Sequence, residues 1–154
     1  MAGTVTTTWQ WRTAQGERER AERRFTEVRA LANTIVLELP GAIEKLPGST
    51  EVRKRLLDQG VAYLDSLAQE RREDPKLLRE LGNAYYKLAT VQGDPMRPNV
   101  GDSAGALASY HKSLAIREAL LARLPTDGQI AVEVGETYTF LSAVHGFAAA
   151  WLPD

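Results

Sequence analysis

Two stretches of this chain repeat one pattern of large, small and aromatic residues, 53 positions apart (131 − 78 = 53). Leu78-x-x-Leu81-Gly82-x-x-Tyr85-x-x-Leu88-x-x-Val91-x-Gly93 is echoed by Ala131-x-x-Val134-Gly135-x-x-Tyr138-x-x-Leu141-x-x-Val144-x-Gly146. Steps of three and four residues place these positions along one side of an α-helix. Gly82 and Gly135 predict points where a neighbouring helix comes close to the backbone, with Tyr85 and Tyr138 filling the space one turn on. One helical hairpin cannot bury both of its faces, so such an echo predicts hairpins stacked on one another.

Downstream of the first copy, Ala106-x-x-x-Tyr110-x-x-Ser113 supplies small and large positions for a second helix. Together with Leu78-x-x-Leu81-Gly82-x-x-Tyr85 it resembles a tetratricopeptide unit, whose repeat is about 34 residues. The longer spacing here arises in the connector Gly93-Asp94-Pro95-Met96-Arg97-Pro98-Asn99-Val100-Gly101 and in a second helix that runs on to about Leu124. The resemblance implies an all-α fold of tetratricopeptide-like antiparallel helical hairpins, stacked as a short right-handed solenoid of about five helices. An unrelated helical bundle in which Gly and Tyr coincide is the alternative.

Apolar periodicity predicts helices near 16–39, 50–72, 75–92, 102–124 and 127–151, with 1–15 as an N-terminal extension and 16–152 as a single domain. In the first of these, Ala21, Phe25, Val28, Ala32, Ile35 and Leu39 form the stripe and Pro40 ends it. Its charged run, Glu17 to Arg24, reads as a solvated face. Ser49 or Thr50 caps the second, whose two apolar stripes predict neighbours on both sides. Asp74-Pro75 opens the third with a cap residue and a proline at the first helical position. The fourth starts near Asp102 or Ser103 and the fifth near Asp127. Trp9, Trp11 and Trp151 lie close to the two ends, where they serve either as anchors or, for Trp151, as an exposed docking patch.

Composition narrows the function classes. With 154 residues, 44% apolar and 25% charged, the chain can build one substantial core. Lys and Arg (19) nearly cancel Asp and Glu (20), so the global positive field of nucleic-acid binding is missing. No Lys or Arg follows Arg123, which leaves an acidic C-terminal end. Without cysteine there is no disulfide, thiolate catalysis or Cys-based zinc site. His111 and His145 have no metal-spaced companion, phosphate-binding glycine loops are absent, and so neither a metal nor a cofactor is expected. No run reaches the roughly 20 apolar residues of a membrane span, so the chain as given is expected to be soluble, with no direct membrane insertion. Gly101-Asp102-Ser103-Ala104-Gly105 matches G-x-S-x-G and could be completed by Asp127 and His145 as a serine esterase. A nucleophile elbow needs a strand before it, whereas Pro95, Arg97, Pro98 and Asn99 precede this one, so Asp102 and Ser103 read as helix caps and no catalytic residue is expected.

A second resemblance covers most of the chain. Arg18-x-Arg20-Ala21-Glu22-Arg23-Arg24-Phe25-x-x-Val28-Arg29-x-Leu31-Ala32-Asn33, Ile43-Glu44-x-Leu46-Pro47-Gly48-Ser49-Thr50, Tyr63-Leu64-Asp65-Ser66-Leu67-Ala68, Asp74-Pro75-x-Leu77-x-Arg79-Glu80-Leu81 and the run from Gly101 to Arg117 resemble the tetratricopeptide-containing C-terminal region of bacterial transmembrane serine/threonine protein kinases. That likeness implies a helical region on the extracytoplasmic side of a bacterial membrane, joined through a membrane helix to a kinase domain. Neither the kinase motifs nor the membrane helix stands in this sequence, and apart from the likeness a cytoplasmic location is equally open.

If the scaffold is tetratricopeptide-like, its groove is lined by the first helix of each hairpin. Lys76, Arg79, Asn83, Tyr86 and Lys87 then form a basic, hydrogen-bonding peptide surface, with Arg79 and Asn83 resembling a carboxylate-gripping pair. The matching positions in the echo, Gln129, Val132, Glu136, Thr139 and Phe140, add no second cation. The expectation is a non-catalytic protein–protein interaction scaffold, the sensor or partner-binding region of a kinase signalling protein, whose partner is a protein or peptide. Homodimerisation through the 16–39 stripe and the apolar end of the last helix is the alternative, and the esterase is the remote one.

Overall fold

The structure, a computed structural model, describes residues 49–70 and 74–151, together with residues 16, 19, 20, 22–24, 26–28, 30 and 34. Among these every regular element is helical. Four continuous helices follow one another: α1 (Ser49–Glu70), α2 (Pro75–Gly93), α3 (Ser103–Arg123) and α4 (Gly128–Trp151). The described positions from 16 to 30 are helical as well, while the expected 1–15 extension and residues 35–39 of the first predicted helix lie outside the described residues, as do Trp9 and Trp11.

Short polar side chains start the helices. Asp74 accepts the backbone N–H groups of Lys76 (2.9 Å) and Leu77 (3.4 Å), with Pro75 where no N–H is needed. Asp127 does the same for Gln129 (3.0 Å) and Ile130 (3.2 Å), and Asp102 caps α3 through Gly105 N–H (3.0 Å). Apolar faces then fix the packing. Val28, Leu57, Leu64, Leu67, Leu77, Leu81 and Tyr85 form one cluster around α1 and α2. Ala89, Ala106, Tyr110, Leu114, Leu141 and Val144 join α2, α3 and α4 in another. Each large side chain removed from water here stabilises the fold by about 1.5–3 kcal/mol before entropy is counted.

The second helix pair repeats the first with the sequence offset of 53. Asp74 and Asp127 are equivalent caps (127 − 74 = 53). Leu57, Gly60, Leu64 and Leu67 are buried on α1, and Tyr110, Ser113, Arg117 and Leu120 are buried at the same register on α3 (110 − 57 = 53). A tyrosine-to-carboxylate bond recurs too. Tyr85 on α2 donates to Asp65 on α1 (2.6 Å), and Tyr138 on α4 donates to Glu118 on α3 (2.5 Å).

The two echo glycines differ. Ser113 Oγ donates to the Gly82 carbonyl (2.8 Å), and a Cβ on Gly82 would stand 3.4 Å from Arg117 Cγ, so α3 does approach closely there. A Cβ on Gly135 would meet nothing within 4 Å. The close approach expected at Gly135 is therefore absent, because among the described residues no helix covers that side of α4.

The connector between α2 and α3 is stitched to the helices it joins. Val100 N–H bonds the Val91 carbonyl (3.0 Å), Asp102 N–H bonds that of Gln92 (2.8 Å), and Asn99 Nδ2 bonds that of Asp94 (2.7 Å). Gly101 takes φ +78°, a region that favours glycine. Asp94 is fully buried, and a Cβ on Gly93 would come within 3.0 Å of Ser103 Cα.

Candidate functional site

The expected basic surface on α2 is only partly open. Lys76 is exposed, whereas Arg79, Asn83, Tyr86 and Lys87 are each half-buried. Arg79 lies 3.3 Å from Asp127 and 3.7 Å from Glu133, so its charge is already met by α4 and its cap. Asn83 and Tyr86 are drawn inward by Arg117 of α3. The Arg117 guanidinium donates to Asn83 Oδ1 (2.8 Å), Thr137 Oγ1 (2.6 Å) and the Glu133 carbonyl (2.9 Å), and it lies 4.7 Å from the Tyr86 ring centre. Arg117 is 3% exposed. Burial lowers its proton affinity, and the neighbouring Glu133 carboxylate opposes that shift. The five residues thus do not stand exposed together, because Asp127 and Glu133 engage Arg79, Arg117 engages Asn83, and Phe140 packs on Tyr86.

Beyond Arg117 an aromatic cluster continues the contact. Tyr86 meets Tyr110 edge-on at 5.5 Å and Phe140 edge-on at 5.7 Å, while Tyr110 and Phe140 stack at 6.1 Å. Burial raises the pKa of both tyrosines, so their phenols stay protonated. Of the echo positions, Gln129, Val132, Glu136 and Thr139 are exposed and Phe140 is half-buried in this cluster.

A different concavity opens between α1 and α3, with α2 as its floor. It has a volume of about 720 Å³ and is lined by Ala68, Leu78, Ala115, Ile116 and Ala119 together with the polar Gln69 and Arg123. Asp65, Tyr85 and Lys112 converge on the same space. Lys112 Nζ donates to both Asp65 oxygens (2.6 and 2.7 Å), tying one wall to the other, and lies 5.5 Å from the Tyr85 ring centre. Burial pulls the Asp65 pKa upward, but the hydrogen bonds from Lys112 and Tyr85 outweigh it and hold the carboxyl below its usual range. The Tyr85 phenol is pushed well above its ordinary value by burial, then by Asp65. Sequence reasoning missed this trio. Tyr85 was visible as a core position, but Asp65 and Lys112 stand 47 residues apart, which no helical period links.

The G-x-S-x-G segment is a loop-to-helix junction. Gly101 ends the connector, Asp102 caps α3 and Ser103 is exposed at its first position. Asp127 caps α4 and pairs with Arg79, and His145 faces His111 at 6.4 Å. Among the described residues no hydrogen bond links Ser103, Asp127 and His145. Nor do these residues contain a cluster of three or more His, Asp or Glu set to hold a metal, or a helix long and apolar enough to cross a membrane.

Comparison with protein-family models, with curated proteins and with solved structures gives no match.

Proposed function

We propose that this chain is a non-catalytic binding scaffold of tetratricopeptide-like stacked hairpins, and that it takes an apolar polypeptide segment in the groove between α1 and α3. The observation that carries this reading is the groove itself. It has ligand-sized volume, small and aliphatic side chains at Ala68, Leu78, Ala115, Ile116 and Ala119, and polar groups, the Asp65–Lys112 pair with Gln69 and Arg123, to set register. An open trough between two helices suits a peptide or helix edge rather than a compact polar metabolite. The polar side of α2 is the weaker site, since an acidic ligand would have to displace Asp127 and Glu133 from Arg79. On the likeness to the kinase-associated regions, such capture would be the sensing step of a signalling protein.

Selection of a displayed peptide library on the purified chain tests the reading. Apolar peptides should be recovered, and their binding should be lost in Ile116→Glu but kept in Arg79→Glu. Recovery of no peptide, or of peptides indifferent to Ile116→Glu, overturns the groove assignment. Acidic peptides that depend on Arg79 would return recognition to the α2 surface.

A further inference from the structure

We propose that the exposed side of α4 is a second docking surface, built for a basic amphipathic α-helix from another protein that seats as α3 seats on α2. The inference rests on the internal repeat and stands whether or not the α1–α3 groove binds a peptide.

On α2, the side formed by Leu78, Gly82, Tyr85, Ala89 and Gln92 receives α3. Ser113 bonds the Gly82 carbonyl, Ser109 Oγ donates to Gln92 Oε1 (2.6 Å), and Lys112 reaches Asp65 beside Tyr85. At the same register α4 carries Ala131, Gly135, Tyr138, Ser142 and His145, and every one of them is exposed. Small residues at 131, 135 and 142 allow a helix to come near the backbone, as Gly82 does for α3. Tyr138 is half exposed although it already holds Glu118 as Tyr85 holds Asp65.

Charge identifies the occupant. In the covered copy, Lys112 completes the Tyr85–Asp65 pair and Arg117 reaches Asn83. In the open copy the equivalent acceptors are Glu118 and Glu136 (83 + 53 = 136), both exposed carboxylates. A helix docked like α3 would therefore set one cation at Glu118 and a second, five residues on, at Glu136, with a small residue next to the first lying over Gly135. No Lys or Arg on α4 opposes it. A second copy of this chain cannot supply its α3, whose matching side is buried against α2.

The probe is a hydrocarbon-stapled, fluorescent peptide with the sequence of residues 103–123, titrated against the full chain. Saturable binding is expected, weakened by about tenfold or more in Gly135→Leu and in Glu118→Lys with Glu136→Lys, a change of about 1.4 kcal/mol. A probe with Glu in place of its Lys112 and Arg117 equivalents should recover affinity for the charge-reversed protein. Gly135→Leu meets open space, so its circular dichroism should match the parent. Absence of saturable binding, or binding untouched by Gly135→Leu, overturns the proposal. Sedimentation showing a dimer of the chain that Gly135→Leu dissolves would also overturn it, giving the surface to a second copy.

Discussion

Arg117 occupies the register at which α1 carries Leu64, so a guanidinium stands where the first hairpin has an apolar contact. Its donors satisfy Asn83, Thr137 and the Glu133 carbonyl, and no apolar residue can replace them. Arg117→Leu should therefore destabilise the chain by about 2–4 kcal/mol, measured as a lowered urea midpoint, even though it restores the residue type of the repeat. The glycines diverge in the same way. Gly93→Ala drives a methyl against the α3 backbone and should cost about 1–3 kcal/mol, whereas Gly135→Ala meets no atom and should gain up to about 1 kcal/mol of helix propensity. Thermal melts of the two variants would separate them by sign. At this scale the sequence identified Asn83 and Tyr86 as polar positions on α2 but not their engagement. That depends on Arg117, which lies 34 residues from Asn83 and shares no local pattern with it.

Among elements, α2 and α4 were readable as copies because Gly, Tyr and the aliphatic positions recur nearly unchanged. The kinship of α1 and α3 was not, since Leu57, Gly60 and Leu64 become Tyr110, Ser113 and Arg117 and only their burial is kept. Packing preserves volume and position more readily than residue type. The strap between α1 and α3 yields a pH test. Asp65 titrates below its usual value of 3.8 in the folded chain, so its contribution is complete above that pH and is lost as pH falls through the folded value. Asp65→Asn should lower stability at pH 7, and the gap to the parent should close as urea unfolding is repeated below pH 3.8.

For the whole molecule, helical periodicity and proline-aspartate punctuation made the all-helical character legible. The groove escaped because Ala115, Ile116 and Ala119 look like ordinary core residues, and only the separation of α1 from α3 leaves space beside them. The stitched connector has a consequence in time. At nine residues (94–102) it is longer than the four-residue junctions at 71–74 and 124–127, but its backbone bonds return from Val100 to Val91 and from Asp102 to Gln92, and contacts of such small sequence separation form soonest. The central hairpin should then be present in the folding transition state. In stopped-flow measurements Gly93→Ala should slow refolding while Leu141→Ala chiefly speeds unfolding. A nascent chain would have its middle in place before either of its flanks.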